Sequence, residues 1–170
     1  RYNRRVLFIR PHYFLILDEV QANEKGLEWN YHSCAPISEI DLESGLIQFQ
    51  GARAGMTMAV ASQHPLQAAV GSYESDGVVL THNLVLTPKM PSASLSIAAL
   101  LLPYPTDDSA TLTKPQVAVV RSTGGAVFTV TGSWGTDEVR CVFDTDAADP
   151  AIEIYRGLGD SAIKLYSTPN

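Results

Sequence analysis

The tightest restriction on the fold of this 170-residue chain comes from an unbroken apolar run, Tyr13 to Leu17, that ends at Asp18. A strand of an antiparallel sheet with one face in water alternates polar and apolar residues. This run does not alternate, so we expect both of its faces to be covered. A carboxylate at the end of a buried strand needs a cation or several hydrogen-bond donors, because an unpaired buried charge is very unfavourable. Asp18 should therefore have a specific partner.

Two kinds of partner for Asp18 follow from the residues around it. An arginine of a neighbouring strand, Arg4, Arg5 or Arg10, would form an ion pair, and His32 would then be an ordinary hydrogen-bonded residue. Alternatively, His32 itself would be the partner of Asp18. The residues alone leave both alternatives open.

Short β-rich segments separated by turn residues recur along the whole chain, and no helical period is present. This regular spacing is typical of a sandwich or a barrel. Each alternating strand needs an apolar surface against its inner face, so we predict an all-β fold, a two-layer antiparallel β-sandwich, with residues 1–170 as a single domain. The predicted strands are Arg4 to Arg10, Tyr13 to Val20, Leu27 to Ser33, Leu46 to Gly51, Met56 to Ser62, Gln67 to Tyr73, Val78 to Leu86, Ser94 to Leu102, Gln116 to Arg121, Ala126 to Thr131, Glu138 to Phe143, Ile152 to Tyr155 and Ala162 to Tyr166.

Composition and motifs exclude several functional classes. The net charge of -6 argues against a nucleic-acid binder, which needs a broad basic surface. No apolar run approaches the roughly 20 residues that a membrane-spanning helix needs. Two cysteines, Cys34 and Cys141, are too few for a disulfide framework, and their pairing is left open. The acidic tract 144–149 is interpreted as a solvated turn. No nucleophile or phosphate-loop motif occurs, so no catalytic residue is predicted.

Several segments of the chain carry a family resemblance. A basic pair is followed by a hydrophobic strand, a Tyr-containing strand that ends in Leu-Asp, and an aromatic strand that ends in His-Ser. This order resembles the start of the C-terminal β-sandwich of the heparinase II/III-like polysaccharide lyases, and a later strand with a proline is similar to one near the end of that domain. The segments are Arg4-Arg5, Val6 to Ile9, Tyr13 to Asp18, Trp29 to Ser33, and Ser96 to Tyr104.

The resemblance implies a function for the parent protein. Lyases of this family cleave acidic, uronate-containing polysaccharides by β-elimination, and their catalytic groups lie mainly in a helical toroid domain that precedes the sandwich. Because the sequence begins at Arg1 without an initiator Met, we expect it to be the C-terminal part of such an enzyme. The chain alone should then be catalytically silent, with the toroid and an acidic polysaccharide as partners, in the periplasm or outside the cell.

The resemblance also implies site residues. The family's zinc site matches Asp18 and His32, and its third ligand, a further His, would precede Arg1. Polysaccharide contact would use aromatic faces and cations, for which the candidates are Arg4, Arg5, Tyr13, Trp29 and Tyr31. Strand aromatics are, however, usually core residues.

Two alternatives to the lyase remain. The first is a non-catalytic carbohydrate-binding or cell-surface module, which solvent exposure of Trp29 and Tyr31 on one flat face would favour. The second is a purely structural β-domain of a larger assembly. Separation of Asp18 from His32, together with an exposed apolar patch that fits a partner protein, would favour that reading.

Overall fold

The described part of the chain consists mainly of β-strands. The computed structural model describes residues 1–23, 26–106, 114–122, 124–143, 151–157 and 159–168, so the acidic tract 144–149 lies outside the described residues. Within these ranges there is no α-helix, and a single 3-10 turn spans Gly159–Ser161. The strands are β1 (Tyr2–Ile9), β2 (Tyr13–Gln21), β3 (Trp29–Ser33), β4 (Ile37–Asp41), β5 (Leu46–Gln50), β6 (Ala54–Ser62), β7 (Leu66–Ser75), β8 (Val78–Pro88), β9 (Ser94–Pro105), β10 (Gln116–Ser122), β11 (Gly125–Gly132), β12 (Gly135–Val142), β13 (Ile152–Arg156) and β14 (Ile163–Ser167).

The strands form three antiparallel sheets. A six-stranded sheet has the order β1-β2-β9-β6-β5-β4, and we call it the central sheet. A five-stranded sheet contains β10 to β14 in sequence order, and a three-stranded sheet has the order β3-β8-β7. The predicted all-β sandwich of antiparallel sheets is therefore confirmed.

The central sheet is covered on both faces, so the sandwich has one layer more than the two that we expected. One core lies between the central and five-stranded sheets, and it contains Tyr13, Leu15 and Leu17. A second core lies between the central and three-stranded sheets, and Phe14 and Ile16 pack against it. Successive side chains of β2 thus enter different cores. The unbroken apolar run of β2 is explained by this arrangement.

Of the fourteen strands in the described part of the chain, thirteen were predicted from the sequence, and β4 was not. The sequence of β4, Ile37–Asp41, contains three polar residues, and three of its five positions are exposed. It is an edge strand of the central sheet, and its pairing with β5 is irregular between Ile37 and Glu39. A short edge strand with little buried surface has only a weak apolar pattern.

The β7–β8 hairpin continues beyond the part of the three-stranded sheet that covers the core. All residues from 69 to 80 are exposed, and we call this segment the arm. Asp76 and Gly77 make its turn with positive φ angles of 53° and 76°. The described residues contain no helix that is long and apolar enough to cross a membrane.

Candidate functional site

Asp18 is the centre of a buried polar cluster between β1, β2 and β3. Its carboxylate is 0% exposed. The antiparallel register places Arg4 directly opposite Asp18, and the Arg4 guanidinium donates from Nε to Oδ1 at 2.7 Å and from Nη2 to Oδ2 at 2.6 Å. Trp29 donates its indole N–H to Oδ2 at 2.6 Å, and the Tyr2 hydroxyl lies 3.3 Å from Oδ1. Four donors therefore satisfy the carboxylate.

The electrostatics of this cluster favour a permanent ion pair. The hydrogen bond to Asp18 raises the pKa of the Arg4 guanidinium above its ordinary value. Desolvation raises the pKa of the Tyr2 hydroxyl, and the negative charge of Asp18 raises it further. Both donors thus hold their protons while they contact the carboxylate. The cluster joins three strands and is suited to fixing their positions.

His32 does not join the Asp18 cluster. Trp29 points from β3 towards Asp18, which defines the inner face of β3. Side chains two residues apart on a strand share a face, so Tyr31 lies on the inner face together with Trp29. His32 is exposed on the outer face, where its backbone partner on β8 is Asn83. Of the two predicted metal ligands, Asp18 therefore faces the inner side of β3, whereas His32 lies on its outer side.

The residues around Asp18 do not fit a zinc centre in this arrangement. A bound cation would have to approach a carboxylate whose oxygens already contact a guanidinium at 2.6 and 2.7 Å. Among the residues that the structure describes, no group of three or more His, Cys, Asp or Glu side chains could hold a metal ion. Zinc binding by Asp18 and His32 stays a prediction of the resemblance.

The residues predicted to bind polysaccharide are mostly in internal contacts. Tyr13 is 0% and Trp29 is 5% exposed. Tyr31 is half-buried, with its ring stacked on Trp29 at a centroid distance of 6.0 Å. Arg4 pairs with Asp18, and Arg5 pairs with Glu19 at 2.6 Å. These aromatic rings offer little free face to a sugar, so a substrate-binding role for the five residues stays a prediction.

A second buried carboxylate, Asp137 of β12, was missed by the sequence reasoning. It is 0% exposed, and Arg156 of β13 donates to both of its oxygens, at 2.8 and 3.1 Å. The Tyr13 hydroxyl donates to Oδ2 across the sheet interface at 3.1 Å. The alternation of β12 could have revealed this residue. Asp137 is two residues before Val139, so both side chains lie on the inner face of the strand.

The environment of Asp137 resembles that of Asp18. Burial raises the pKa of the Tyr13 hydroxyl, and the charge of Asp137 adds to this effect. The hydrogen bond to Asp137 raises the pKa of Arg156. Each of the two cores of the sandwich thus contains one carboxylate held by an arginine and an aromatic donor, and both clusters are internal crosslinks between strands.

The two cysteines are free. Cys34 is exposed, whereas Cys141 is buried in the core between the central and five-stranded sheets. Burial raises the pKa of the Cys141 thiol to about 12. Cys141 is therefore a small apolar core residue.

No protein-family model matches the sequence, and no curated protein matches it significantly.

Proposed function

We propose that this chain is the C-terminal sandwich domain of a polysaccharide lyase that cleaves acidic, uronate-containing polysaccharides by β-elimination in the periplasm or outside the cell. Its role is to support a helical toroid domain that carries the catalytic groups. One observation carries the proposal. The late segment of the resemblance on β9, although distant in the sequence, is a neighbour of the early segments in the structure, since β1 pairs with β2 and β2 pairs with β9.

These neighbouring segments share one packing arrangement. Leu15 of β2 lies opposite Leu100 of β9, and both are 0% exposed. The basic pair of β1 binds the acidic pair that ends the apolar run of β2, Arg4 to Asp18 and Arg5 to Glu19. The aromatic strand β3 then contacts Asp18 through Trp29. The segments that carry the resemblance thus form one packed unit, which supports treating them together.

The arm supports a role in docking to another domain. Five of its apolar side chains, Val70, Tyr73, Val78, Val79 and Leu80, are between 44% and 64% exposed. A cluster of exposed apolar side chains on a projecting two-stranded hairpin is unfavourable in water and is typical of a contact surface. We therefore assign the toroid contact to the arm.

The proposal is tested with the parent protein that includes the toroid. The parent is incubated with alginate, heparin-like and other uronate polymers, and the unsaturated product is followed by its ultraviolet absorbance. We expect product from at least one polymer. A parent with no product from any uronate polymer would overturn the lyase assignment.

The role of the arm is tested in the same assay with matched variants. Val78→Ser with Leu80→Ser removes apolar contact from the arm, and Val120→Ser with Ile163→Ser removes similar side chains that are 68% and 67% exposed elsewhere. We expect the arm variant to lower the elimination rate about tenfold or more, because a sandwich that docks poorly leaves the catalytic groups of the toroid misplaced relative to the substrate. Equal rates for the two variants would remove the arm from the proposal.

A structural domain of a larger assembly is a second candidate, because His32 is separated from Asp18 and the arm is apolar. It predicts a parent that has no lyase activity but needs the arm for assembly. A separate carbohydrate-binding module is not favoured by the aromatic residues of β3, since Trp29 is only 5% exposed.

A further inference from the structure

A cleft of about 440 Å³ lies where the ends of all three sheets meet. Its wall contains Ser62 at the end of β6, Leu66 at the start of β7, and Arg121 and Ser122 at the end of β10. Gly45 and His64 line it from the connections. Its volume is within the roughly 300–1,000 Å³ of small-molecule sites. The cleft does not include the Asp18 cluster or the arm.

Arg121 is held in the cleft by contacts with a turn. Its Nη1 donates to the carbonyl of Leu42 at 3.0 Å. Gly45 has a φ of 79°, and a Cβ at this position would lie 2.0 Å from Nη2 of Arg121. Glycine is therefore required at position 45 by the backbone conformation, and a Cβ there would also lie 2.5 Å from the backbone carbonyl oxygen of Val60. The turn fixes the orientation of the arginine.

The charge of Arg121 has no carboxylate partner among the ion pairs of the described residues. The nearest acidic influence is Asp41, whose pKa is lowered first by the hydrogen bond from the Ser44 hydroxyl and only weakly by the charge of Arg121. Ser44 donates to Asp41 Oδ2 at 2.6 Å. The protein thus engages the Arg121 guanidinium at Nη1, which donates to Leu42, and at Nη2, which packs on Gly45. The remaining N–H groups of the guanidinium can bind an anion.

The remaining wall combines hydroxyl and imidazole groups with an apolar floor. The Ser62 hydroxyl accepts a hydrogen bond from the backbone N–H of His64 at 3.3 Å, so its own proton is free to be donated. The His64 ring lines the cleft, and its Nε2 lies 3.2 Å from the Ser92 hydroxyl. Leu42 and Leu66, which are half-buried, supply the apolar surface. A sugar ring presents hydroxyls at its rim and C–H groups on its faces, which suits such a wall.

We propose that this cleft binds a carboxylated sugar of one or two rings. The carboxylate pairs with the Arg121 guanidinium, ring hydroxyls contact Ser62 and His64, and the C–H face lies on Leu42 and Leu66. The inference does not need the lyase assignment, because binding is measured on this chain without a toroid. Where that assignment holds, the ligand is a uronate unit of the polymer.

The test is a titration of the chain followed by backbone amide NMR, with three probes. Galacturonate carries both the ring and the carboxylate, glucose carries the ring alone, and acetate carries the carboxylate alone. We expect galacturonate to shift the amide signals of Gly45, Ser62, His64 and Ser122 with a Kd of about 1 mM. We expect glucose and acetate each to bind about tenfold or more weakly.

Variants separate a specific site from general attraction of anions. Arg121→Gln is expected to weaken galacturonate binding about tenfold or more, and His64→Gln about threefold. The matched control is Arg53→Gln, which removes an exposed cation outside the cleft and leaves the Kd unchanged. Should Arg121→Gln fail to fold, Arg121→Lys keeps the charge without the planar fork and is expected to weaken binding by a smaller factor.

Three results would overturn the proposal. The first is the absence of shifts at the cleft amides with galacturonate up to about 20 mM. The second is an equal loss of affinity in Arg121→Gln and Arg53→Gln, which would indicate non-specific electrostatics. The third is acetate binding as tightly as galacturonate, which would leave an anion site without sugar recognition. If the parent shows no β-elimination while galacturonate still binds the cleft of this chain, only the proposed function is contradicted.

Discussion

Removal of the Arg4 side-chain charge tests the account of the buried Asp18 cluster. Arg4→Met keeps much of the apolar stem but leaves the carboxylate of Asp18, which is 0% exposed, without its cation. Breaking a buried ion pair by removing one partner costs about 3–5 kcal/mol. The lower end applies here, because the Arg4 side chain is 46% exposed and Trp29 and Tyr2 still donate to the carboxylate. We expect a loss of about 3 kcal/mol in unfolding free energy.

Urea unfolding followed by tryptophan fluorescence measures this loss, and thermal unfolding provides a second readout. For a domain of this size, a loss of about 3 kcal/mol lowers Tm by about 6–12 °C. The matched control is Arg140→Met, which breaks an exposed pair with Glu138 on β12. Exposed pairs contribute about 0–1 kcal/mol, so we expect little change in the control.

A double-mutant cycle isolates the pair itself. Asp18→Leu removes the carboxylate, and the combination of Arg4→Met with Asp18→Leu removes both charges. We expect a coupling energy of about 2 kcal/mol, because the second substitution no longer leaves a buried charge unpaired. If Arg4→Met destabilises the chain no more than Arg140→Met, or if the coupling energy is below about 0.5 kcal/mol, the cluster is not the crosslink that we describe.

Further predictions concern the cysteines and the arm. A thiol reagent at neutral pH should label Cys34 in the native chain and reach Cys141 only after unfolding, as mass spectrometry will show. Because burial raises the pKa of Cys141 from 9.0 to about 12, its stabilising contribution is complete below about pH 9 and is lost as the pH rises towards 12. Urea unfolding at several pH values between about 9 and 11 should therefore show a shallower loss of stability for Cys141→Ala than for the native chain, and equal slopes would contradict the shift. Gly77→Ala, at a φ of 76°, should cost about 1 kcal/mol, whereas Gly71→Ala in the same hairpin has open space around its Cβ and should be neutral within about 0.5 kcal/mol.

The sequence allowed the strands and the covered run of β2 to be predicted because these depend on local patterns. The absence of alternation in Tyr13 to Leu17 is readable without any knowledge of neighbouring strands. The number of layers was not readable in this way. The number of layers depends on a third sheet, in which β3 pairs with β8. No local sequence pattern indicates which of two apolar surfaces will cover a given strand.

The candidate site shows the same division between local and distant information. Arg4 was in the predicted set of partners for Asp18, because β1 and β2 form a hairpin and opposite residues are close. The position of His32 on the outer face follows from alternation only once Trp29 is known to be buried. Arg121 in its cleft could not be predicted, since it meets the carbonyl of Leu42 across a long stretch of chain.

The position of β9 affects how the chain reaches its native state during synthesis. β9 pairs with both β2 and β6, and it ends at Pro105. Until that residue has left the ribosome, two strands rich in apolar residues have open backbone edges. Such edges pair readily with other chains. We therefore expect the nascent polypeptide to depend on chaperones over this interval.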